Sequence, residues 1–294
     1  MRREADMQNA VRAAVLSNGA AACGAVGRTL LESVMTSAQR AKMERLLPGW
    51  RAVICAAFPY YVNLPAARGT ISRYAWGMDY HLVIARRLEP AARLLRESGA
   101  DAAVLVDASP VPERAAALYA GVGMLGDHGL IIVPPYGSYV FLGTVATTSP
   151  VWDGLAEKPA DFARCTHCGA CRRACPSGAL GEDGFRAERC LSAISQKKGG
   201  LSDAERTLLR ENHCLWGCDV CQEACPYNRT PRETELPEFR EGLTQAITRD
   251  MLEGLSGRAF QRRFGNRAFA WRGVGVLRRN LDILDGRFED KPVT

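Results

Sequence analysis

Eleven of the 294 residues are cysteines, and seven of these fall into two runs. The first reads Cys165-Thr-His-Cys168-Gly-Ala-Cys171-Arg-Arg-Ala-Cys175-Pro176, the second Cys218-Asp-Val-Cys221-Gln-Glu-Ala-Cys225-Pro226. A C-x2-C-x2-C-x3-C-P run lets three thiolates wrap one cubane [4Fe–4S] cluster, while the cysteine before proline reaches the other cluster of a pair. Proline then turns the chain away. C-x2-C pairs also suit tetrahedral zinc, but four cysteines in one run, repeated in part downstream, point to two [4Fe–4S] clusters. Two such clusters need eight thiolates and the runs supply seven. By crossed ligation, one cluster takes Cys165, Cys168, Cys171 and Cys225. The other takes Cys218, Cys221, Cys175 and a ligand from outside the runs, either Cys190 or Cys214. Cys214 precedes Cys218 by a gap one residue longer than the regular spacing, and Cys190 sits at a predicted helix start, Glu188-Arg189-Cys190-Leu191. Cys23 and Cys55 lie in alanine-rich apolar surroundings and read as buried thiols.

Linked clusters form an electron wire, and a wire needs a terminus. The residues before the first run must hold it. Ala102-Ala-Val-Leu-Val-Asp107 reads as a buried strand ending on a carboxylate. In open α/β sheets such a position faces the ligand crevice. Equally, Asp107 could cap the helix predicted from Glu113. Gly121-Val-Gly123-Met-Leu-Gly126 has dinucleotide-loop spacing but follows a helix rather than a strand, so that reading fails its context. Glycines there still allow backbone to approach a large flat ligand. His81 and His128 read as structural histidines.

The elements that position these residues follow from pattern. Residues 5–47 read as helices broken near Gly19 and Gly24–Gly27. Arg51–Phe58 reads as a strand, and Tyr80 to about Glu97 as a helix kinked or split at Pro90. Glu113–Ala120 reads as a short helix, and Gly129–Val133 and Tyr139–Val145 as strands joined by the turn Pro134–Ser138. Helix and strand alternate, so residues 1–150 form an α/β domain. Val151 to about Asp161 reads as a linker. Residues 151–235 form an α+β ferredoxin-like double-cluster domain, and 236–294 a short helical C-terminal segment.

Composition narrows the class. No apolar run is long enough to span a membrane. The N-terminus carries Glu4, Asp6, Gln8 and Asn9 and reads as an amphipathic helix, not a signal peptide; a cytoplasmic location is expected. A reducing compartment argues against disulfides. The net charge of +6 permits a nucleic-acid partner without demanding one. Arg258, Arg262, Arg263, Arg267, Arg272, Arg278 and Arg279 are either a solvated helical face or an RNA-contacting one.

Several segments resemble those of epoxyqueuosine reductases. Arg73-Tyr74-Ala75-Trp76-Gly77-Met78-Asp79-Tyr80-His81 is similar to their Y-A-x-G-x-D-Y-H. Val106-Asp107-Ala108-Ser109-Pro110-Val111-Pro112-Glu113-Arg114 is similar to V-D-S-x-P-V-x-E-R. The glycines 121, 123 and 126, with Gly137-Ser138 and Phe141-Leu142-Gly143, match their glycine loop and the strand after it. Gly217-Cys218 through Tyr227-Asn228 resembles G-C-D-x-C-Q-x-x-C-P-W-N. The resemblance covers roughly residues 50–280. It implies a cobalamin-dependent iron–sulfur enzyme that reduces epoxyqueuosine to queuosine in tRNA, with the cobalamin base-off in the N-terminal domain. It implies Asp107 as proton donor, Cys190 as the eighth cluster ligand, and cobalamin contacts near Asp107, Ile131, Leu142, Ser192, Cys218 and Asp219. A carboxylic acid in a dry crevice beside a corrin would have a raised pKa and could deliver that proton. An unidentified low-potential electron donor would feed the clusters.

Two departures stand out. The family's W-x-G-K-N reads here Met124-Leu-Gly-Asp127-His128, replacing a basic residue by an acidic one. Longer members end in a helical-repeat domain that grips tRNA, whereas this chain stops at Thr294, so its grip on tRNA is expected to be reduced or different. These departures keep two rivals in view: a cobalamin reductase of a small molecule, as reductive dehalogenases are, and a ferredoxin-like electron carrier without a substrate.

Overall fold

The computed structural model describes residues 2–65, 70–152, 165–182 and 184–287. In chain order come α1 (Arg2–Ser17), β1 (Ala22–Gly27), α2 (Arg28–Glu32), α3 (Ser37–Leu46), β2 (Ala52–Pro59), β3 (Thr70–Ile71), α4 (Tyr80–Glu97), β4 (Ala102–Leu105), α5 (Glu113–Tyr119), β5 (Met124–Leu125), β6 (Ile131–Ile132) and β7 (Val140–Thr147). There follow α6 (Ala170–Ala174), β8 (Leu180–Gly181), β9 (Gly184–Phe185), α7 (Leu191–Ser195), α8 (Asp203–Glu211), β10 (Cys214–Trp216), α9 (Val220–Glu223), α10 (Arg249–Leu252), α11 (Gly257–Phe264) and α12 (Val274–Leu284).

Two compact units share the chain. One comprises Met1–Tyr61, Tyr80–Cys168 and Thr230–Leu236, the other Val62–Asp79, Gly169–Arg229 and Pro237–Thr294. The units are therefore interleaved, unlike the consecutive spans 1–150, 151–235 and 236–294. Backbone pairing is the reason. β3 pairs in parallel with β10, which draws Val62–Asp79 to the cysteine-bearing loops. Arg232 and Thr234 donate their amides to Pro135 and Tyr61, which draws Thr230–Leu236 to the first unit.

The first unit is built on a four-stranded sheet of order β1-β2-β7-β4. All eight residues of β2, Ala-Val-Ile-Cys-Ala-Ala-Phe-Pro, are buried, as a central strand covered on both faces requires. Every neighbouring pair is antiparallel. The crevice rule for open parallel sheets thus gives no support to Asp107, whose position comes from local contacts instead. Helix α4 buries Val83, Ile84, Leu88, Ala91, Ala92 and Leu95, a stripe at helical spacing. It packs closely on β7, where a Cβ on Gly143 would lie 2.3 Å from Ile84 Cγ2.

Two expectations for this unit need correcting. Gly24–Gly27 does separate α1 from α2, but as part of strand β1 rather than as a loop between helices. A Cβ on Gly24 would lie 1.8 Å from the Ala120 carbonyl oxygen, so these small residues admit the end of α5 against the strand. Pro90 neither splits nor ends α4; buried side chains on both sides of it outweigh the cost of an interior proline. The strand at Ile131 pairs with β5 rather than β7, making a small hairpin around the glycine loop. The expected linker lies mostly outside the described residues.

In the second unit, α8 is held by a capping box of Ser202 and Glu205 and buries Leu209 against Leu191, Ile194, Leu201, Cys214 and Ile283. Asn280 of α12 is fully buried and donates to the carbonyls of Ser195 and Leu215, both at 2.8 Å. It thereby ties α7 to β10. Among the described residues no helix is long and apolar enough to cross a membrane.

Candidate functional site

Asp107 sits just beyond β4, with a backbone φ of 57°, a left-handed conformation that few non-glycine residues adopt. Its Oδ2 accepts a hydrogen bond from the Tyr80 hydroxyl at 2.7 Å and lies 3.1 Å from His81 Nε2. Tyr80 and His81 open α4, with rings stacked at 4.1 Å, and Tyr80 stacks on Phe141 of β7 at 4.6 Å. The aromatic shelf thus fixes both partners of the carboxylate. The hydrogen bond from His81 holds the Asp107 carboxyl below its ordinary value against partial burial, with help from Tyr80 and the imidazole charge. That direction is opposite to the raised pKa expected for a dry crevice. The side chain is 59% exposed, so water screens it, and two donors favour the anion. Asp107 does not cap α5 either: Pro112 holds the N-cap position without a side-chain bond.

A second carboxyl group belongs to this site. Glu113 turns back from the start of α5, and its Oε1 accepts the Asp107 amide at 2.8 Å. Burial pushes its carboxyl up to about 7; the Asp107 amide lowers it and the Asp107 charge adds to the rise. The signal available in the sequence was its place in the same V-D…P-V-P-E-R segment.

The glycine hairpin neighbours this region through Arg114, which donates to the Gly129 carbonyl at 2.9 Å. A Cβ on Gly123 would lie 2.6 Å from the Ile132 carbonyl oxygen and 2.7 Å from Ile131 Cγ2, so the turn admits only glycine. Ile131 and half-buried Leu142 share an apolar cluster with Cys55, Ala57, Ala117, Val122 and Val133. His128 is buried, and burial lowers its pKa to about 4. Its Nδ1 accepts from the Leu130 amide, as befits a structural histidine, while Nε2 has no hydrogen-bond partner among the described residues. Asp127, the acidic replacement, bonds His167 Nδ1 at 2.7 Å. Asp127, His167 and Cys165 bring ligand atoms within 4.8 Å of one another, a set able to hold a metal.

In the second unit, four thiols act on one another. Burial pushes Cys218 up to about 12, with Asp219, Cys190 and Cys175 adding to the rise. Burial likewise pushes Cys221 up to about 12, with Cys218, Cys190, Asp219 and Cys175 adding. Burial also raises Cys175, but hydrogen bonds from the Leu180 amide, the Ser177 hydroxyl and amide and the Ala179 amide outweigh it, and the net shift is downward. Such a set resists carrying several thiolates unless a cationic centre sits among them, which suits an iron–sulfur cluster. Cys190 is the N-cap residue of α7. Cys214 is close to Cys218 and Cys190 too, but it is buried and donates its S–H to the Gly217 carbonyl at 2.9 Å. Cys171 lies in α6, which packs on α9. Cys171 and Cys225 are buried and Cys168 is exposed.

The remaining residues proposed to touch a cofactor have other partners. Asp219 is buried, its Oδ1 accepting from Ser72 Oγ at 2.6 Å and Gln222 Nε2 at 3.2 Å, its Oδ2 from the Arg73 amide at 2.7 Å. Burial raises it, against those bonds. Ser192 accepts from Gln196 through both its hydroxyl and its carbonyl. Of the seven C-terminal arginines, Arg258, Arg262 and Arg263 are exposed, and four of the seven bond loop carbonyls. Arg267 donates to Trp76 and Gly242, Arg278 to Leu252 and Leu255, Arg279 to Lys197 and Gly199, and Arg263 to Met251, all at backbone carbonyls. Loops rich in unpaired carbonyls recruit these forked donors.

Comparison with known proteins gives this geometry a context. An epoxyqueuosine reductase of Listeria monocytogenes is 36% identical over 231 residues, covering 77% of this chain and 59% of that protein. Another, from Gloeobacter violaceus, is 36% identical over 265 residues, covering 84% and 79%. The chain belongs to the epoxyqueuosine reductase family. Residues 40–108 match the profile "Epoxyqueuosine reductase QueG, DUF1730" and residues 164–228 the "4Fe-4S double cluster binding domain". The crystal structure of an epoxyqueuosine reductase with a tRNA-Tyr epoxyqueuosine-modified tRNA stem loop superimposes with a TM-score of 0.82 at 27% identity, covering 98% of this chain and 83% of that one. The chain spans 59% and 63% of the length of the Listeria monocytogenes and Lactococcus garvieae epoxyqueuosine reductases. The matched spans contain Tyr80, His81, Asp107 and every cysteine of the two runs.

Proposed function

We propose that this chain reduces epoxyqueuosine to queuosine in tRNA, using cobalamin and two [4Fe–4S] clusters. The observation that carries the reading is the Asp107 carboxylate held by Tyr80 and His81 in a chain of this family. When bound, the clusters and cobalamin supply the two electrons that removal of an epoxide oxygen as water requires. The protein's part is to deliver protons to that oxygen and to hold the groups in place. Asp107 is an anion while the site is open, and both its partners are possible proton sources on the same oxygen. A substrate covering the site removes the screening water and moves Asp107 upward, toward a form that can donate.

Cys175, Cys190, Cys218 and Cys221 are the ligand set we assign to one cluster, and Cys165, Cys168, Cys171 and Cys225 the set for the other. The mutual effect of the first four thiols supports Cys190, and the S–H bond of Cys214 to Gly217 speaks for a structural role there. Half-buried Leu142, with buried Ile131 packed in the cluster behind it, would offer apolar contact to a flat corrin. The internal bonds of Asp219 and Ser192 favour contact through their backbone. A low-potential electron donor would feed the clusters, and the proposed location is cytoplasmic.

The test is anaerobic incubation of the cluster-loaded protein with cobalamin, reductant and tRNA containing epoxyqueuosine, followed by nucleoside mass spectrometry. Queuosine should appear and should depend on cobalamin. Cobalamin binding without conversion would favour a small-molecule substrate, and no corrinoid uptake would leave an electron-transfer role.

A further inference from the structure

Asp107 is gripped from two sides. Its carboxylate meets Tyr80 and His81, while its amide is taken by a carboxyl group six residues further on, Glu113 Oε1 at 2.8 Å. Between these two grips the backbone adopts φ 57°, a conformation that persists in an L-residue only when its surroundings impose it. The loop carbonyl bonds cannot impose it alone, since a hydrogen bond from Ser109 to the Asp107 carbonyl fixes the far side of the residue and leaves its amide free to rotate. An acceptor placed behind the amide completes the constraint. Glu113 is an unusual choice for a largely buried position, because an apolar side chain would fill the space at lower cost. An apolar side chain would also leave the Asp107 amide without this partner.

We propose that Glu113 is a positioning residue that holds the Asp107 amide, fixes its left-handed backbone and so keeps the Asp107 carboxylate on Tyr80 and His81. The inference rests on the reading of Asp107 as the acid for the epoxide oxygen. The groups whose charges reach Glu113 are Asp107 in the preceding loop, His81 on α4 and Cys55 on β2. Either protonation form of Glu113 presents an oxygen to the amide. The ionised form adds a second negative charge behind Asp107 and strengthens its hold on a proton. The same side chain therefore sets both the place and the proton affinity of the acid.

Two variants of similar length separate these effects. Glu113→Gln keeps an oxygen acceptor and removes the charge; Glu113→Met removes both. Crystal structures of the cluster-loaded variants, without substrate, provide the first readout. Glu113→Gln should keep Asp107 in place, and Glu113→Met should release it to a negative φ with the Tyr80 contact broken. Steady-state kinetics on epoxyqueuosine-containing tRNA provide the second. Glu113→Met should lower kcat by about 10- to 100-fold with little change in KM, as a displaced catalytic group does. Glu113→Gln should restore most of that rate and flatten the pH profile near neutrality. An unmoved Asp107 in Glu113→Met would overturn the proposal, whatever the rate. If that variant does not fold, Glu113→Gln decides alone: a displaced Asp107, or an unaltered pH profile, would overturn it. Should the wild type leave epoxyqueuosine untouched, the substrate assignment fails while the crystallographic comparison still tests the positioning.

Discussion

Asn280 offers a quantitative test of how the cysteine-bearing loops are held. It is buried in α12 and donates to the carbonyls of Ser195, at the end of α7, and Leu215, in β10, both at 2.8 Å. One of these elements follows Cys190 and the other precedes Cys218, so the amide spans the two segments that carry ligands assigned to one cluster. Replacing Asn280 by Ala removes both donors from buried carbonyls. Each loss costs about 1–3 kcal/mol, or roughly 2–5 kcal/mol in all when partial relaxation is allowed. The Ser195 carbonyl keeps a long contact to Arg279 at 3.4 Å, which places its share at the low end. Bound clusters make unfolding unsuited to a two-state analysis, so the assay is the rate at which a chelator bleaches the visible cluster absorbance under anaerobic conditions. Release requires the two segments to part. If half the lost energy appears in that step, the rate rises by about 5- to 60-fold. Asn280→Asp is the sharper variant, because it keeps the shape but faces both carbonyls with oxygen. It should bleach at least as fast as Asn280→Ala. Wild-type bleaching in Asn280→Asp would refute the reasoning, since packing rather than donation would then hold the segments.

Other outcomes follow from the same geometry. Cys190→Ser should lose iron and labile sulfide from one cluster, whereas Cys214→Ser should keep both, read by anaerobic iron analysis and electron paramagnetic resonance. Glu113 binds its proton more tightly folded, at about 7, than at its ordinary 4.5. Its contribution to stability is therefore present in full below 4.5 and is lost as pH rises through 7, about 3 kcal/mol in all. Glu113→Gln should remove that slope from chelator-bleaching or protease-resistance curves taken across this window. Gly143→Ala should destabilise the first unit by about 1–3 kcal/mol through the clash with Ile84, seen as a lower thermal midpoint by circular dichroism.

Strong periodicity made α4 readable, and unbroken apolar runs made β2 and β4 readable. β1 was hidden because alanine and glycine carry little strand preference, and only the approach of α5 to Gly24 explains them. The pairing of β6 with β5 was not legible, because a turn signal at Pro134–Ser138 says that the chain bends, not which strand receives it. Asp107 could be found as a strand-end carboxylate, but its ionisation could not: the direction depends on Tyr80 and His81, some two dozen residues earlier in the chain. The cysteine runs were legible because their chemistry is written in local spacing. The contribution of the C-terminal arginines was not, since binding to loop carbonyls has no sequence period.

Because β3, β10 and α12 come from widely separated stretches, the thiol-bearing unit has no contiguous coding segment. During synthesis its framework stays open until the α12 residues have left the ribosome, so the Asn280 clamp is among the last contacts to form. Cluster delivery to the proposed ligands Cys175, Cys190, Cys218 and Cys221 should therefore follow translation rather than accompany it. A fragment starting at the first cysteine run would lack β3, the partner of β10, and should be a poor acceptor for the assembly machinery.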